Sequence, residues 1–83
     1  MPAHTHEFVE SYGGLVGFGL NRETDENTVI YYLQKFSDDA LMAEMRKRMG
    51  DDDLSALFNL LSGLLRKHFT EDEYHCLFLK ENH

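Results

Sequence analysis

The second half of the chain repeats one order of charge three times: acidic residues, then an apolar stretch, then basic residues. Carboxylates stabilise the N-terminus of a helix and cations its C-terminus, because the unpaired backbone groups there carry opposite partial charges. The order therefore predicts three consecutive helices, and it explains the basic clusters without a ligand. The pairs are Asp38-Asp39 with Arg46-Lys47-Arg48, Asp51-Asp52-Asp53 with Arg66-Lys67, and Glu71-Asp72-Glu73 with Lys80.

Capping signals and apolar spacing give these helices their boundaries. Ser37 is the expected N-cap of the first helix, and Gly50 the residue that ends it. Thr70 and Glu73 have the spacing of a capping box, which predicts the start of the third helix. In the second helix, leucines cover nearly half of the circumference, so we expect it to be the central one. The predicted ranges are 38–49, 53–69 and 71–81.

The segment 25–36 fits two structures. Val29 to Tyr32 favour a strand by propensity, and this strand could pair with residues 15–20 as a hairpin. Apolar residues also recur at helical spacing from Val29 to Phe36, with Asp25 or Asn27 available as a cap. We predict the helix.

The expected fold is mainly α, a small bundle of four to five short helices in a single domain over residues 1–83. A further short helix is predicted over 6–12, followed by a glycine-rich loop at 13–24. Residues 1–5 are expected to be frayed. The alternative is an α+β fold in which a hairpin, 15–20 with 28–34, packs on the three C-terminal helices.

Size and charge limit the classes of function. A chain of 83 residues buries only about 60 to 65 % of its unfolded surface, which leaves a thin stability margin. A net charge of −7 disfavours binding to phosphate backbones and to anionic membranes. Cys76 is the single cysteine, so an intrachain disulfide is impossible and a reducing compartment fits best. We expect a cytoplasmic protein with no membrane segment, and the charge disfavours a nucleic-acid partner.

The N-terminus suggests one metal-binding chemistry. Removal of Met1 would leave Pro2-Ala3-His4, in which the terminal amine, two backbone amides and the imidazole can enclose Cu(II) or Ni(II) in a square plane. His6 could add an axial contact. A metal-binding or metal-responsive protein that uses His4 and His6 is therefore the alternative function.

Two further residues carry weaker signals. His68 falls within the apolar arc of the central helix, which predicts a buried polar or pH-sensitive imidazole. Cys76 lies away from the apolar residues of the last helix and is expected to be a structural thiol. Neither residue predicts a catalytic or cofactor-binding site.

The leading functional hypothesis is a non-enzymatic interaction or regulatory module that docks on a protein partner or on itself as a homodimer. The apolar helix faces exceed what so small a domain can cover. A DNA-binding regulator is a third hypothesis, since the basic cluster 46–48 precedes a turn and a helix, but that helix begins with three aspartates that repel phosphate. The expected contact residues are Leu60, Leu64, Tyr74, Phe78 and Leu79, followed by Met42, Met45 and Met49.

Overall fold

The computed structural model describes residues 6–81, and 72 % of these are helical. No strand occurs among them, so the predicted mainly α class is confirmed and the hairpin alternative is wrong. A π-helical segment, Tyr74–Phe78, follows directly on the last α-helix. The α-helices are α1 (Phe8–Ser11), α2 (Arg22–Phe36), α3 (Asp39–Arg48), α4 (Asp51–His68) and α5 (Glu71–Glu73).

Two compact units divide the described chain: an N-terminal unit, residues 6–48, and a C-terminal unit, residues 49–81. The N-terminal unit contains α1, α2 and α3, and the C-terminal unit contains α4, α5 and the π-helical segment. A single domain over residues 1–83 stays a prediction, and the expected fraying of residues 1–5 lies outside the described residues.

Helix α2 begins three residues before the predicted start and leaves a shorter loop at 13–21. Its N-cap is Asn21, whose Oδ1 accepts a hydrogen bond from the N–H of Thr24 at 2.8 Å. The prediction of Asp25 or Asn27 as the cap is therefore wrong. Asp25 instead accepts from the N–H of Gly19 at 2.8 Å, and Gly19 has a φ of 97°, which favours glycine. The polar segment predicted to be loop thus forms the first turn of the helix.

The start of α3 also differs from the prediction. Asp38 Oδ2 accepts from the N–H groups of Ala40 at 3.1 Å and Leu41 at 3.2 Å. Ser37 was the expected cap, but it ends α2: its N–H donates to the C=O of Leu33, and its hydroxyl to the C=O of Gln34. The carboxylate one residue later takes the capping role.

Helix α4 spans 18 residues, Asp51–His68, and is the longest described helix. Asp53 Oδ2 accepts from the N–H of Gly50 at 3.1 Å, which satisfies one of the orphan donors at this end. Three aspartates lie in its first turn, and Arg66, Lys67 and His68 lie in its last turn. The acidic first turn and the basic last turn both interact favourably with the helix dipole, as the charge order predicted.

The last helix has the predicted start but a different body. Thr70 Oγ1 accepts from the N–H of Glu73 at 3.2 Å, and Glu73 Oε1 accepts from the N–H of Thr70 at 2.8 Å. The predicted capping box is confirmed. Beyond Glu73 the backbone widens into the π-helical segment, in which the N–H of Leu79 donates to the C=O of Tyr74. The segment ends at Phe78, short of the predicted residue 81, and Lys80 beyond it has a φ of 60°.

The described chain has almost no interior. Thr28, 4 % exposed, is the single buried residue among residues 6–81, and no large apolar side chain there is buried. In the same part of the chain, no helix has the length and apolar character needed to cross a bilayer.

Candidate interaction surface

One side of α4 is a continuous apolar surface, which we call the α4 face. At about 100° per residue its side chains cover an arc of about 160°. The remaining circumference carries Ser55, Asn59, Gly63 and Arg66 among other small or polar residues. The face consists of Leu54, Leu57, Phe58, Leu60, Leu61, Leu64 and Leu65.

The α4 face is largely uncovered. Phe58 is 69 % exposed and Leu60 is 60 % exposed. Leu54, Leu61 and Leu64 are also exposed, and only Leu57 and Leu65 are half-buried. An apolar surface of this extent on a small protein is typical of an interaction site. The structure therefore places two predicted contact residues, Leu60 and Leu64, on one open surface.

A shallow pocket lies beside the C-terminal half of α4. It has a volume of about 230 Å³, and Leu65, Arg66, Phe69 and Tyr74 are among its lining residues. Small-molecule sites commonly measure roughly 300 to 1,000 Å³ and enclose most of the ligand. The pocket is too small and shallow to indicate a substrate site.

The π-helical segment presents a second group of apolar side chains in the C-terminal unit. The rings of Tyr74 and Phe78 stack with centroids 5.3 Å apart, and this contact leaves Phe78 still 49 % exposed. Leu77 and Leu79 are exposed as well. The predicted contact residues Tyr74, Phe78 and Leu79 therefore share one short segment.

The predicted methionines differ from the leucines in exposure. Met42 and Met45 lie on α3 in the N-terminal unit and are half-buried, as is Met49 in the C-terminal unit. Half-burial is compatible with gap filling by a flexible thioether. Their role in a contact surface stays a prediction.

Sequence reasoning missed an exposed apolar stripe on α2. Val29, Tyr32 and Leu33 have the helical spacing of a face that covers a core, yet all three are exposed, Tyr32 to 63 %. In the preceding loop, Phe18 is 74 % exposed. The spacing was a correct signal for a stripe, but it carried no information on whether the stripe is covered.

The covered side of α2 makes polar contacts and one aromatic contact with the N-terminal segment. The N–H of Gly17 donates to Thr28 Oγ1 at 3.0 Å, and the Thr28 hydroxyl donates to the C=O of Gly17 at 3.1 Å. One turn after Thr28, the ring centroid of Tyr31 lies 6.0 Å from that of Tyr12. One turn further, Gln34 Oε1 accepts a hydrogen bond from the N–H of Val9 at 2.9 Å. These contacts fix the N-terminal segment to α2 and turn the apolar stripe away from it.

Charged side chains outside the α4 face form local pairs. Glu44 lies 3.0 Å from Lys47 Nζ and 3.3 Å from Arg48 Nη2, so two cations of the basic cluster on α3 are paired. Arg22 Nε lies 2.6 Å from Glu26, and this hydrogen bond, with the charge of Glu26, raises the pKa of the Arg22 guanidinium. These pairs stabilise their own helices.

The metal hypothesis rests on His4 and His6. His4 lies outside the described residues. His6 is exposed, and its Nε2 lies 2.6 Å from Ser37 Oγ. Within residues 6–81, no group of three or more His, Cys, Asp or Glu side chains is arranged to hold a metal ion. The use of His4 with the processed terminus stays a prediction.

His68 and Cys76 are both exposed. His68 does lie within the arc of the α4 face, as predicted, but the arc is open, so the expected burial of the imidazole is wrong. A functional role for either residue stays a prediction.

Comparison of the chain with protein-family models, with curated proteins and with solved structures finds no match. A function for this protein is therefore proposed from the geometry of the α4 face.

Proposed function

We propose that the protein is a small, non-enzymatic interaction module of the cytoplasm that works as a homodimer or as a small regulatory subunit. The working surface is the α4 face. The observation that supports this function is the exposure of five of its seven large apolar side chains, to as much as 69 %.

The free energy available from covering this face is large relative to the stability of a small domain. Burial of one leucine or phenylalanine contributes about 1.5 to 3 kcal/mol, whereas a whole domain is stable by only about 5 to 15 kcal/mol. Association through the face can therefore supply a substantial part of the stability that an 83-residue chain lacks. The exposed Leu77, Phe78 and Leu79 extend the apolar surface of the same unit.

The test is a pair of glutamate substitutions on opposite sides of α4. Leu64→Glu puts a charge on the face, and Asn59→Glu puts the same charge on the exposed polar side, about 140° from Leu64 around the helix. Sedimentation equilibrium should show the native chain and Asn59→Glu above the 9.7 kDa of one chain. Leu64→Glu should weaken self-association about 100-fold or more, because each copy loses a buried leucine.

Far-UV circular dichroism on both variants separates loss of association from loss of helix. Equal association of Leu64→Glu and Asn59→Glu, at equal helicity, contradicts a role for the α4 face. A native chain that keeps the mass of one copy at every concentration contradicts the homodimer.

A further inference from the structure

We propose that the α4 face is covered by the α4 face of a second copy of the chain, running antiparallel and related by a two-fold axis that crosses the face at the level of residue 59 along the helix. This inference rests on the proposed function and adds the partner, the orientation and the register. It is carried by two independent features of α4, the spacing of its leucines and the distribution of its charges.

The leucines are self-complementary in one antiparallel register. Leu54, Leu57, Leu61 and Leu64 follow the alternating spacing of three and four residues that forms the seam of paired helices. With Leu54 opposite Leu64 of the second copy, Leu57 lies opposite Leu61. Both pairs have the same midpoint, so a single two-fold axis satisfies all four leucines.

The residues beside the seam extend the contact. Phe58 and Leu65 lie on one side of it and Leu60 on the other, and Phe58 and Leu60 are close to the proposed axis. Each would meet its own counterpart in the second copy. The two most exposed large apolar side chains of α4, Phe58 at 69 % and Leu60 at 60 %, would therefore be covered at the centre of the interface.

The charges select the antiparallel orientation. Asp51, Asp52 and Asp53 occupy the first turn of α4, and Arg66, Lys67 and His68 occupy the last. Antiparallel helices place the acidic end of each copy beside the basic end of the other, which is attractive at both ends. Parallel helices would place three aspartates beside three aspartates and cations beside cations. Charge complementarity therefore favours one of the two orientations.

The arrangement also forms a closed dimer. A two-fold axis uses the same surface on both copies, so the pair leaves no unmatched α4 face for a third chain. The helix dipoles of the two copies oppose each other in the same way as the side-chain charges.

Disulfide trapping measures the orientation. In a Cys76→Ser background, which removes the exposed native thiol, we would prepare Leu54→Cys and Leu64→Cys as separate chains. In the proposed register, equivalent positions 54 of the two copies are about 15 Å apart along the axis. A disulfide requires Cα atoms within about 7 Å.

The expected result is that neither variant oxidises efficiently alone, whereas an equimolar mixture gives a covalent heterodimer in high yield. Self-linked dimers of each variant, with no preference for the mixture, would show parallel pairing and overturn the inference while leaving the homodimer intact. A dimer by sedimentation with no crosslink in any sample would overturn the role of α4. A strict monomer by sedimentation would overturn the proposed homodimer itself.

A charge substitution gives a second readout that does not depend on cysteine. Lys67 lies at the edge of the α4 face on the Leu60 side, where an antiparallel partner brings Asp53. Lys67→Glu should weaken self-association about threefold or more relative to Arg66→Glu. Arg66 is the matched control, because it lies in the same turn, on the polar side, and undergoes the same change of charge. Equal effects of the two substitutions would contradict the antiparallel register.

Discussion

The two units of the chain are both helical, but different contacts stabilise them. In the N-terminal unit, polar side chains join residues far apart in sequence, such as Val9 with Gln34 and Gly17 with Thr28. In the C-terminal unit, the side-chain hydrogen bonds of Asp53, Thr70 and Glu73 join residues three apart and cap helices. A cap stabilises a helix but covers none of its faces.

This difference explains why α4 is the better candidate for an interaction surface. The N-terminal segment covers one side of α2 through polar contacts and the ring of Tyr31. The long amphipathic face of α4 is open. An amphipathic helix gains most of its stability from packing its apolar face, and α4 has a face on which a second molecule can pack.

The largest expected effect on the stability of either unit comes from removing the hydroxyl of Thr28. Thr28→Val keeps the shape but leaves the N–H and C=O of Gly17 without a partner. The free energy of unfolding of the N-terminal unit should fall by about 1 to 3 kcal/mol. Urea unfolding of Thr28→Val and of the control Thr28→Ser, which keeps the hydroxyl, measures the difference. Equal midpoints would show that the contact with Gly17 does not stabilise this unit.

The next effect concerns the capping box of α5. Thr70→Ala removes the acceptor for the N–H of Glu73 and should destabilise the start of this helix by about 1 kcal/mol. Amide hydrogen exchange should accelerate at residues 73–78 and stay unchanged in α2. Thr70→Ser is the control, and a change that spreads equally through both units would contradict local stabilisation of the C-terminal unit.

The smallest effect is a gain of stability. Lys80 has a φ of 60°, in the left-handed region that glycine adopts without a steric penalty. Lys80→Gly should stabilise the turn that follows the π-helical segment by roughly 0.5 to 1 kcal/mol. Lys80→Ala loses the same charge but keeps the Cβ atom, so it should give no gain. Thermal unfolding of both variants measures the gain, and identical midpoints would show that the positive φ of Lys80 does not reduce stability.

Much of the secondary structure could be predicted from local chemistry. The order of charges located α3, α4 and the last helix, because dipoles and caps act within one turn. Apolar spacing correctly outweighed the strand propensity of Val29 to Tyr32. The exact caps were harder, because Asn21 and Asp38 compete with nearby residues of the same type.

Which helix faces are covered by other parts of the chain could not be predicted in the same way. The stripe of Val29, Tyr32 and Leu33 is real, but hydrogen bonds between Gly17 and Thr28 decide that the opposite side of α2 is covered. Such contacts join residues eleven apart and leave no periodic signal. The same reason made His68 look buried: its position within the apolar arc was right, whereas the covering of that arc depends on tertiary packing. The most exposed large apolar residue of α4, Phe58, was not among the predicted contacts.

The most direct test of the account is amide hydrogen exchange at two protein concentrations. If a second copy covers the α4 face, a tenfold increase in concentration should increase the protection of amides in α4 by up to about threefold, because exchange then requires dissociation and the dissociated fraction of a homodimer falls as the square root of the concentration. Amides in α2, whose contacts lie within its own unit, should change much less. Protection of α4 that is identical at both concentrations would contradict the account.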